Sequence, residues 1–263
     1  MFFQTPSYLL SRHPHAAALR KLLANALYQS AKARAKRVLR GRISRLTDEN
    51  RIKYNSLAGA YYSHHATEEP RVCWYKGRLT MATASAVREH TCELLVDAIR
   101  RTNGSSVLEV GCGDGNNIAL LRDALPEARL VGCDISEGRI AFARKYHGER
   151  RLDATFEVAD ATHMPFEDKS FDVVFSLYCL EHLPAEFPGA VREMLRVARS
   201  KVILIEPIPE YFGPLQRLYA FATDYVRGLP FFLEREGIDV ESVELLGSAA
   251  NPLNLGAMIT LRP

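Results

Sequence analysis

The 263-residue sequence has no uninterrupted apolar run approaching the roughly 20 residues that a helix needs to cross a bilayer. Its start lacks the compact apolar core of a secretory signal, so no leader is expected. It also lacks a disulfide framework. The five cysteines, Cys73, Cys92, Cys112, Cys133 and Cys179, are odd in number, scattered, and form no CxxC pair. That pattern argues equally against a thiolate zinc site and reads as reduced thiols in a cytoplasmic setting. No metal is expected elsewhere: His64-His65 has no acid at ligand spacing and reads as surface loop. Repeats and low-complexity tracts are missing. So are acids in residues 1–47, which hold ten of the 34 Lys/Arg, while all 31 acids lie beyond.

What is present divides into a basic arm and a mildly acidic body. Residues 1–48 form a basic amphipathic helical arm by pattern. Leu19, Leu22, Leu23 and Leu27 make one stripe, and Val38, Leu39, Ile43 and Leu46 resume it. Such a helix can lie on an anionic membrane surface, touch nucleic acid, or direct a chain to an organelle. It can equally pack on its own domain or a protein partner and show its charges to water. Residues 49–104 read as a helical cap or lid. Within it, 63–80, with Pro70 and Gly77, reads as irregular polar chain. Residues 82–102 read as a helix stopped by Asn103-Gly104.

From 105 the pattern changes to short apolar runs alternating with helical stretches. Strands are expected at Ser106–Val110, Ala128–Cys133, Thr155–Ala159, Phe171–Leu177 and Val202–Ile205. Helices are expected at Asn117–Ala124, Glu137–Tyr146 and Pro184–Val197. Continuous Val, Ile, Leu and Phe runs suit a parallel sheet buried on both faces. The alternation predicts an α/β, doubly wound, mostly parallel sheet over 105–263. A helix is expected at Pro214–Val226, inside a segment, 207–239, that interrupts the alternation. Val240–Leu246 and Leu255–Leu261, joined by a polar loop, predict a terminal antiparallel pair.

Chemistry is concentrated at the ends of the first three of these strands. The first runs into Glu109-Val110-Gly111-Cys112-Gly113-Asp114-Gly115, a GxGxG turn between strand and helix that lets backbone turn tightly beside a ligand. Position 116 is Asn, so the dinucleotide fingerprint GxGxxG is not met, and an NAD-dependent dehydrogenase is disfavoured. Asp134 ends the second strand, where an acid can accept from both hydroxyls of a ribose. It could instead cap the following helix, but Ser136 is placed for that role. Asp160 ends the third strand, where a carboxylate can accept from an exocyclic adenine amine and the next amide can meet a ring nitrogen. Together these ends form one surface for an adenosine-containing ligand.

The glycine turn, Asp134, Ala159-Asp160-Ala161 and the run Met164 to Ser176 follow one another in order. With Leu180-Glu181-His182-Leu183 and Glu193-Met194-Leu195-Arg196-Val197, they resemble the small-molecule branch of the class I S-adenosylmethionine-dependent methyltransferases. The resemblance covers roughly 105–205. It implies a Rossmann-like seven-stranded sheet with an antiparallel last strand, carrying here an N-terminal helical extension. It implies S-adenosyl-L-methionine as cofactor. Glu109 and Gly111 would lie near its methionine part, with Gly113 facing the same ligand. Asp134 would hold the ribose, and Ile135 would pack on the adenine. Asp160 and Ala161 would meet the adenine edge. Ser176 and Leu177 would line the methionine side. Upstream, Tyr54 and Tyr61 resemble the aromatic segment that covers the cofactor in relatives. One departure is Ala198-Arg199-Ser200-Lys201, where relatives carry a Pro-Gly-Gly turn; a changed turn and an unchanged fold are expected.

Methyl transfer is an in-line displacement, and a base is needed only when the acceptor must lose a proton. His182 is the candidate base, because an ordinary imidazole titrates near about pH 6.5. The alternatives are a structural histidine or a substrate-orienting donor. Glu206 is a second polar candidate. The acceptor is expected to be a small molecule selected by 48–82 and by the substrate-cap insertion at about 207–239. The aromatic residues of 207–239 suit an apolar or aromatic acceptor, or simply a packed cap. Two other readings remain. One is an RNA methyltransferase guided by the basic arm, although no Asn-Pro-Pro-Tyr or cysteine-nucleophile signature follows the fourth strand. The other is a non-catalytic methyltransferase-like scaffold.

Overall fold

The computed structural model describes residues 69–263 together with residues 51, 53–56 and 58. The basic arm, Tyr61, His64 and His65 lie outside the described residues.

The core is a seven-stranded sheet in the order β5-β4-β3-β6-β7-β9-β8. Its strands are β3 (Ser106–Val110), β4 (Arg129–Asp134), β5 (Thr155–Val158), β6 (Phe171–Leu177), β7 (Ala198–Pro207), β8 (Asp239–Leu245) and β9 (Gly256–Arg262). β5, β4, β3, β6 and β7 pair in parallel, and β9 runs antiparallel to both its neighbours. The order reverses between β3 and β6, and a ligand crevice forms outside the strand ends at such a reversal.

The period-2 alternation of the strands explains how both faces are buried. Leu108, Val110, Val174, Val202 and Leu204 point to one face, beneath α4 (Phe187–Val197) and α6 (Leu229–Arg235). Val107, Leu130, Val173, Phe175, Ile203 and Ile205 point to the other. There they meet α1 (Ala84–Arg100), α2 (Asn116–Ala124) and α3 (Glu137–Arg150). Thr83 caps α1 by accepting from Ala86 N, and Ser136 caps α3 by accepting from Arg139 N. Asp134 is thereby left to its own contacts.

Two local expectations are corrected. Residues in the stretch read as irregular form an antiparallel hairpin, β1 (Arg71–Tyr75) and β2 (Arg78–Ala82), turned at Lys76-Gly77. Its polar sequence hides a strand because Cys73 alone is fully buried, and the hairpin is held from outside. Trp74 exchanges backbone hydrogen bonds with Ala249, and Gly77 N donates to Gly247 O. The cap segment is thus not wholly helical. Second, the turn before β7 is altered more than expected: α4 ends at Val197 and β7 starts at once with extended Ala198. The sheet register adjusts by an irregularity between Phe171 and Val173. The expected helix at Pro214–Val226 is α5 (Pro214–Thr223).

Candidate active site

Where β3 ends, the chain folds back over β4: the amides of Gly111 and Cys112 both donate to Cys133 O, at 2.8 and 2.9 Å. Gly111 has φ +77, and a Cβ there would stand 2.2 Å from Cys179 Sγ. Gly113 has φ +55, and a Cβ there would stand 2.1 Å from the Arg139 guanidinium. Gly111 is therefore required by the protein's own packing as well as by its left-handed backbone, and Gly113 by its left-handed backbone, since the guanidinium beside it ends a flexible side chain. The turn delivers the chain to α2, whose first residues Asn116 and Asn117 open onto a cavity.

This cavity, about 300 Å³, lies across the strand ends at the reversal point. Of the residues singled out in the sequence, Tyr54, Gly111, Asp134, Ile135, Asp160, Ala161, Leu177 and His182 line it. Asp134 is 8% exposed. Its Oδ2 accepts from Gly113 N and its Oδ1 from Ser136 N, both at 2.9 Å. Burial pushes its carboxyl up, against the pull of Arg139 and of those two amides. A carboxylate has about four acceptor positions, so two amides aim the group without exhausting it. Asp160 Oδ1 accepts from the amide and the hydroxyl of Thr162, both at 2.8 Å. Tyr54 is anchored through its neighbour: Asn55 Oδ1 accepts from Gly138 N and Ser136 Oγ, fastening the segment to the start of α3.

Glu109, Gly113, Ser176 and Glu206 stand behind the wall. Alternation turns Glu109 under α2, where it is wholly buried and accepts from Asn117 Nδ2 at 2.6 Å. Burial pushes its carboxyl up to about 8. Gly113 is covered by Arg139, which bonds buried Asp114 at 3.0 Å. Ser176 donates to Glu206 Oε1 at 2.8 Å. The same oxygen accepts from Cys179 N and Leu180 N, and Oε2 from Glu181 N. Glu206 thus holds the turn after β6 from below. Its carboxyl is pushed up to about 8 by burial. Candidacy as a base fails on geometry, since no face of it reaches the cavity.

Sequence reasoning gave no role to Arg139, Tyr178, Glu181 or Arg88, all of which line the cavity. Arg139 carried a usable signal, because it follows the Ser136 cap by three residues and so points back at the glycine turn. Tyr178 carried none: its φ of +54 arises only where the chain leaves β6 beneath Glu206. The Cys179 thiol is pushed up by burial and by nearby acids, Glu206 first, which leaves it an apolar wall residue. Among the described residues no cluster of three or more His, Cys, Asp or Glu could hold a metal ion.

Residues 107–201 match the family model described as a methyltransferase domain. The sheet order and the antiparallel β9, which lies beyond the matched residues, accord with a Rossmann-like methyltransferase fold. The chain is 34% identical over 128 residues to the demethylmenaquinone methyltransferase of Beutenbergia cavernae, covering 48% of this chain and 50% of that one. It is 36% identical over 96 residues to the phthiotriol/phenolphthiotriol dimycocerosates methyltransferase of Mycobacterium tuberculosis, covering 36% and 34%. The chain spans about half the length of the first curated relatives it matches. In fold, it resembles the magnesium protoporphyrin IX methyltransferase of Synechocystis PCC 6803, solved with bound SAH. The TM-score is 0.60 at 18% identity, over 83% of this chain and 100% of that one. Outside the matched residues, Tyr54, the α1 residues Ala84, Val87, Arg88 and Thr91, and Ala250 complete the cavity's lining.

Proposed function

We propose that the protein is an S-adenosylmethionine-dependent methyltransferase acting on a small-molecule acceptor. The observation that carries this reading is the cavity itself. It has an oriented acid at each of two adjacent strand ends, Asp134 and Asp160. Beside them run the apolar walls of Ile135, Ala159, Ala161 and Leu177, and the start of α2 closes one end. An S-adenosyl group fits that donor set. Asp134 would take the ribose hydroxyls, and Asp160 with Ala161 the adenine edge. Ile135 would pack against the ring, and Tyr54 would cover it. The amino-acid end would lie by Gly111 and the positive end of the α2 dipole. When bound, the group supplies an electrophilic methyl on a positively charged sulfur. The chain's contribution is alignment and exclusion of water, which can be worth roughly 7–11 kcal/mol. His182, which lines the same cavity, would take the proton from an acceptor that must lose one.

Demethylmenaquinone and phthiotriol dimycocerosates, the acceptors in the relatives' names, are small molecules rather than nucleic acid or protein. That supports the small-molecule reading over an RNA acceptor. Calorimetric titration with S-adenosylhomocysteine, with NAD as control, tests the proposal. Saturable binding of the first and none of the second is expected. Absence of both would move the reading to a scaffold.

A further inference from the structure

Asn55 joins the segment that carries Tyr54 to the start of α3. The first amides of a helix have no partner inside it. At α3, Arg139 N donates to Ser136 Oγ at 3.2 Å, and Gly138 N donates to Asn55 Oδ1 at 3.0 Å. The wholly buried Ser136 hydroxyl donates in turn to Asn55 Oδ1 at 2.7 Å. Ser136 N donates to Asp134 Oδ1 at 2.9 Å. One run of hydrogen bonds therefore leads from the carboxylate in the cavity, through Ser136, to Asn55. The approach is close: a Cβ on Gly138 would stand 3.3 Å from Asn55 O, so glycine at this position leaves room for the segment to lie against the helix. Tyr54 is the next residue along. Its ring centroid lies 5.7 Å from that of His182 and 5.5 Å from the Arg139 guanidinium. Arg139 lines the cavity from α3 and His182 from the turn after β6, so the Tyr54 ring spans between them.

We propose that Asn55 is a positioning residue that straps Tyr54 across the cavity and sets how long an adenosine-containing ligand stays there. This rests on the methyl-transfer reading above. The side-chain oxygen of an asparagine has two lone pairs, and here one meets Gly138 N and the other the Ser136 hydroxyl. Gly138 sits at a partly exposed helix end, where water replaces a lost acceptor, so the fold itself depends little on Asn55. What depends on it is the placement of Tyr54. Without the two bonds, the neighbouring ring is no longer held between Arg139 and His182. A ligand lying beneath that ring has to pass it to leave. The strap therefore acts on release more than on entry, as most changes at a binding site do.

The test has two parts, both on the full chain. Hydrogen exchange of the Gly138 amide, followed in ¹⁵N–¹H spectra without ligand, reports the contact itself. Exchange is expected to be about tenfold or more slower in the wild type than in Asn55→Ala. Equal exchange in the two overturns the proposal. Surface plasmon resonance with S-adenosylhomocysteine over immobilised protein then reports the rates. In Asn55→Ala, release should quicken about fivefold or more, as for loss of a capping contact. The association rate should stay within about twofold, and the melting temperature should hardly move. Release as slow as in the wild type overturns the proposal. Faster release that comes only with a matching fall in melting temperature overturns it in favour of a structural role. Asn55→Asp keeps an oxygen acceptor for both donors and should release the ligand at close to the wild-type rate. Release as fast as in Asn55→Ala overturns the acceptor role. A wild type that fails to bind S-adenosylhomocysteine instead overturns the methyl-transfer reading, and the amide exchange still reports whether Asn55 holds the segment to α3.

Discussion

Asp134 concentrates several jobs in one carboxylate: it aims at the cavity, fixes Gly113, and holds the amide of Ser136. Hydrogen bonds to a charged acceptor contribute about 1.5–3 kcal/mol each. Asp134→Ala is therefore expected to weaken S-adenosylhomocysteine binding by about tenfold or more, measured by calorimetry; near-wild-type affinity would refute the ribose assignment. Gly111 is tested differently. Gly111→Ala adds a Cβ 2.2 Å from Cys179 Sγ on a left-handed backbone at φ +77. Overpacking of this kind costs about 1–3 kcal/mol, and the left-handed conformation adds about 1–2 kcal/mol. Urea unfolding should show that loss. In the double variant with Cys179→Gly, which removes both crowding atoms, the steric part should return and the backbone part remain.

At the scale of elements, the turn after β6 depends on β7. Four donors from Ser176, Cys179, Leu180 and Glu181 converge on Glu206, which is fully buried. Glu206→Ala strands them all, and each buried donor left unsatisfied costs about 1–3 kcal/mol. A loss of at least about 3 kcal/mol is expected in denaturant titration. The same acid shapes the response to pH. Glu109 and Glu206 are raised from an ordinary 4.5 to about 8 by burial, so the folded state holds their protons more tightly than the unfolded state does. Their contribution is full below pH 4.5 and is lost as pH rises through about 8. His147, buried under the glycine turn with its Nε2 3.0 Å from Gly115 O, is lowered by burial from 6.5. Its contribution is full above pH 6.5 and is lost as pH falls below that value. Two glutamates outweigh one histidine, so from these groups the melting temperature should be highest at mildly acidic pH and fall as pH rises from about 4.5 towards about 8. Glu206→Gln should flatten the alkaline side, and an unchanged alkaline slope would contradict the burial argument.

For the whole molecule, the question is whether the basic arm belongs to the catalytic body. Among the described residues, both core clusters are built from residues of 92–261, and the cavity from residues between Tyr54 and Ala250. Deleting residues 1–46 is accordingly expected to leave S-adenosylhomocysteine affinity within about twofold, an energy difference of well under 1 kcal/mol. A collapse of solubility or melting temperature would show instead that the arm completes the fold. The matched domain covers residues 107–201, and the cavity also draws on residues beyond it: Tyr54, Ala84, Val87, Arg88, Thr91 and Ala250.

The sheet could be read from the chain because period-2 burial is local information. β3 and β6 fall where the apolar runs predicted them, and the terminal pair forms as expected. The part of the cavity that carries Asp134, Asp160 and Gly111 was legible for the same reason: in a parallel sheet, strand ends collect on one edge, so these residues had to meet. The sequence alone also marked His182. It could not tell which side of its strand each acid takes relative to the cavity wall. Glu109 and Glu206 were reasonable candidates by type and position, and the pleat turned both inward. Nor could it mark the hairpin at Arg71–Ala82, which is tied to Ala249 and Gly247 across the chain. Only the tertiary structure brought Asn254 and Val226 onto Glu181, because those contacts join residues 73 and 45 positions apart and leave no local pattern.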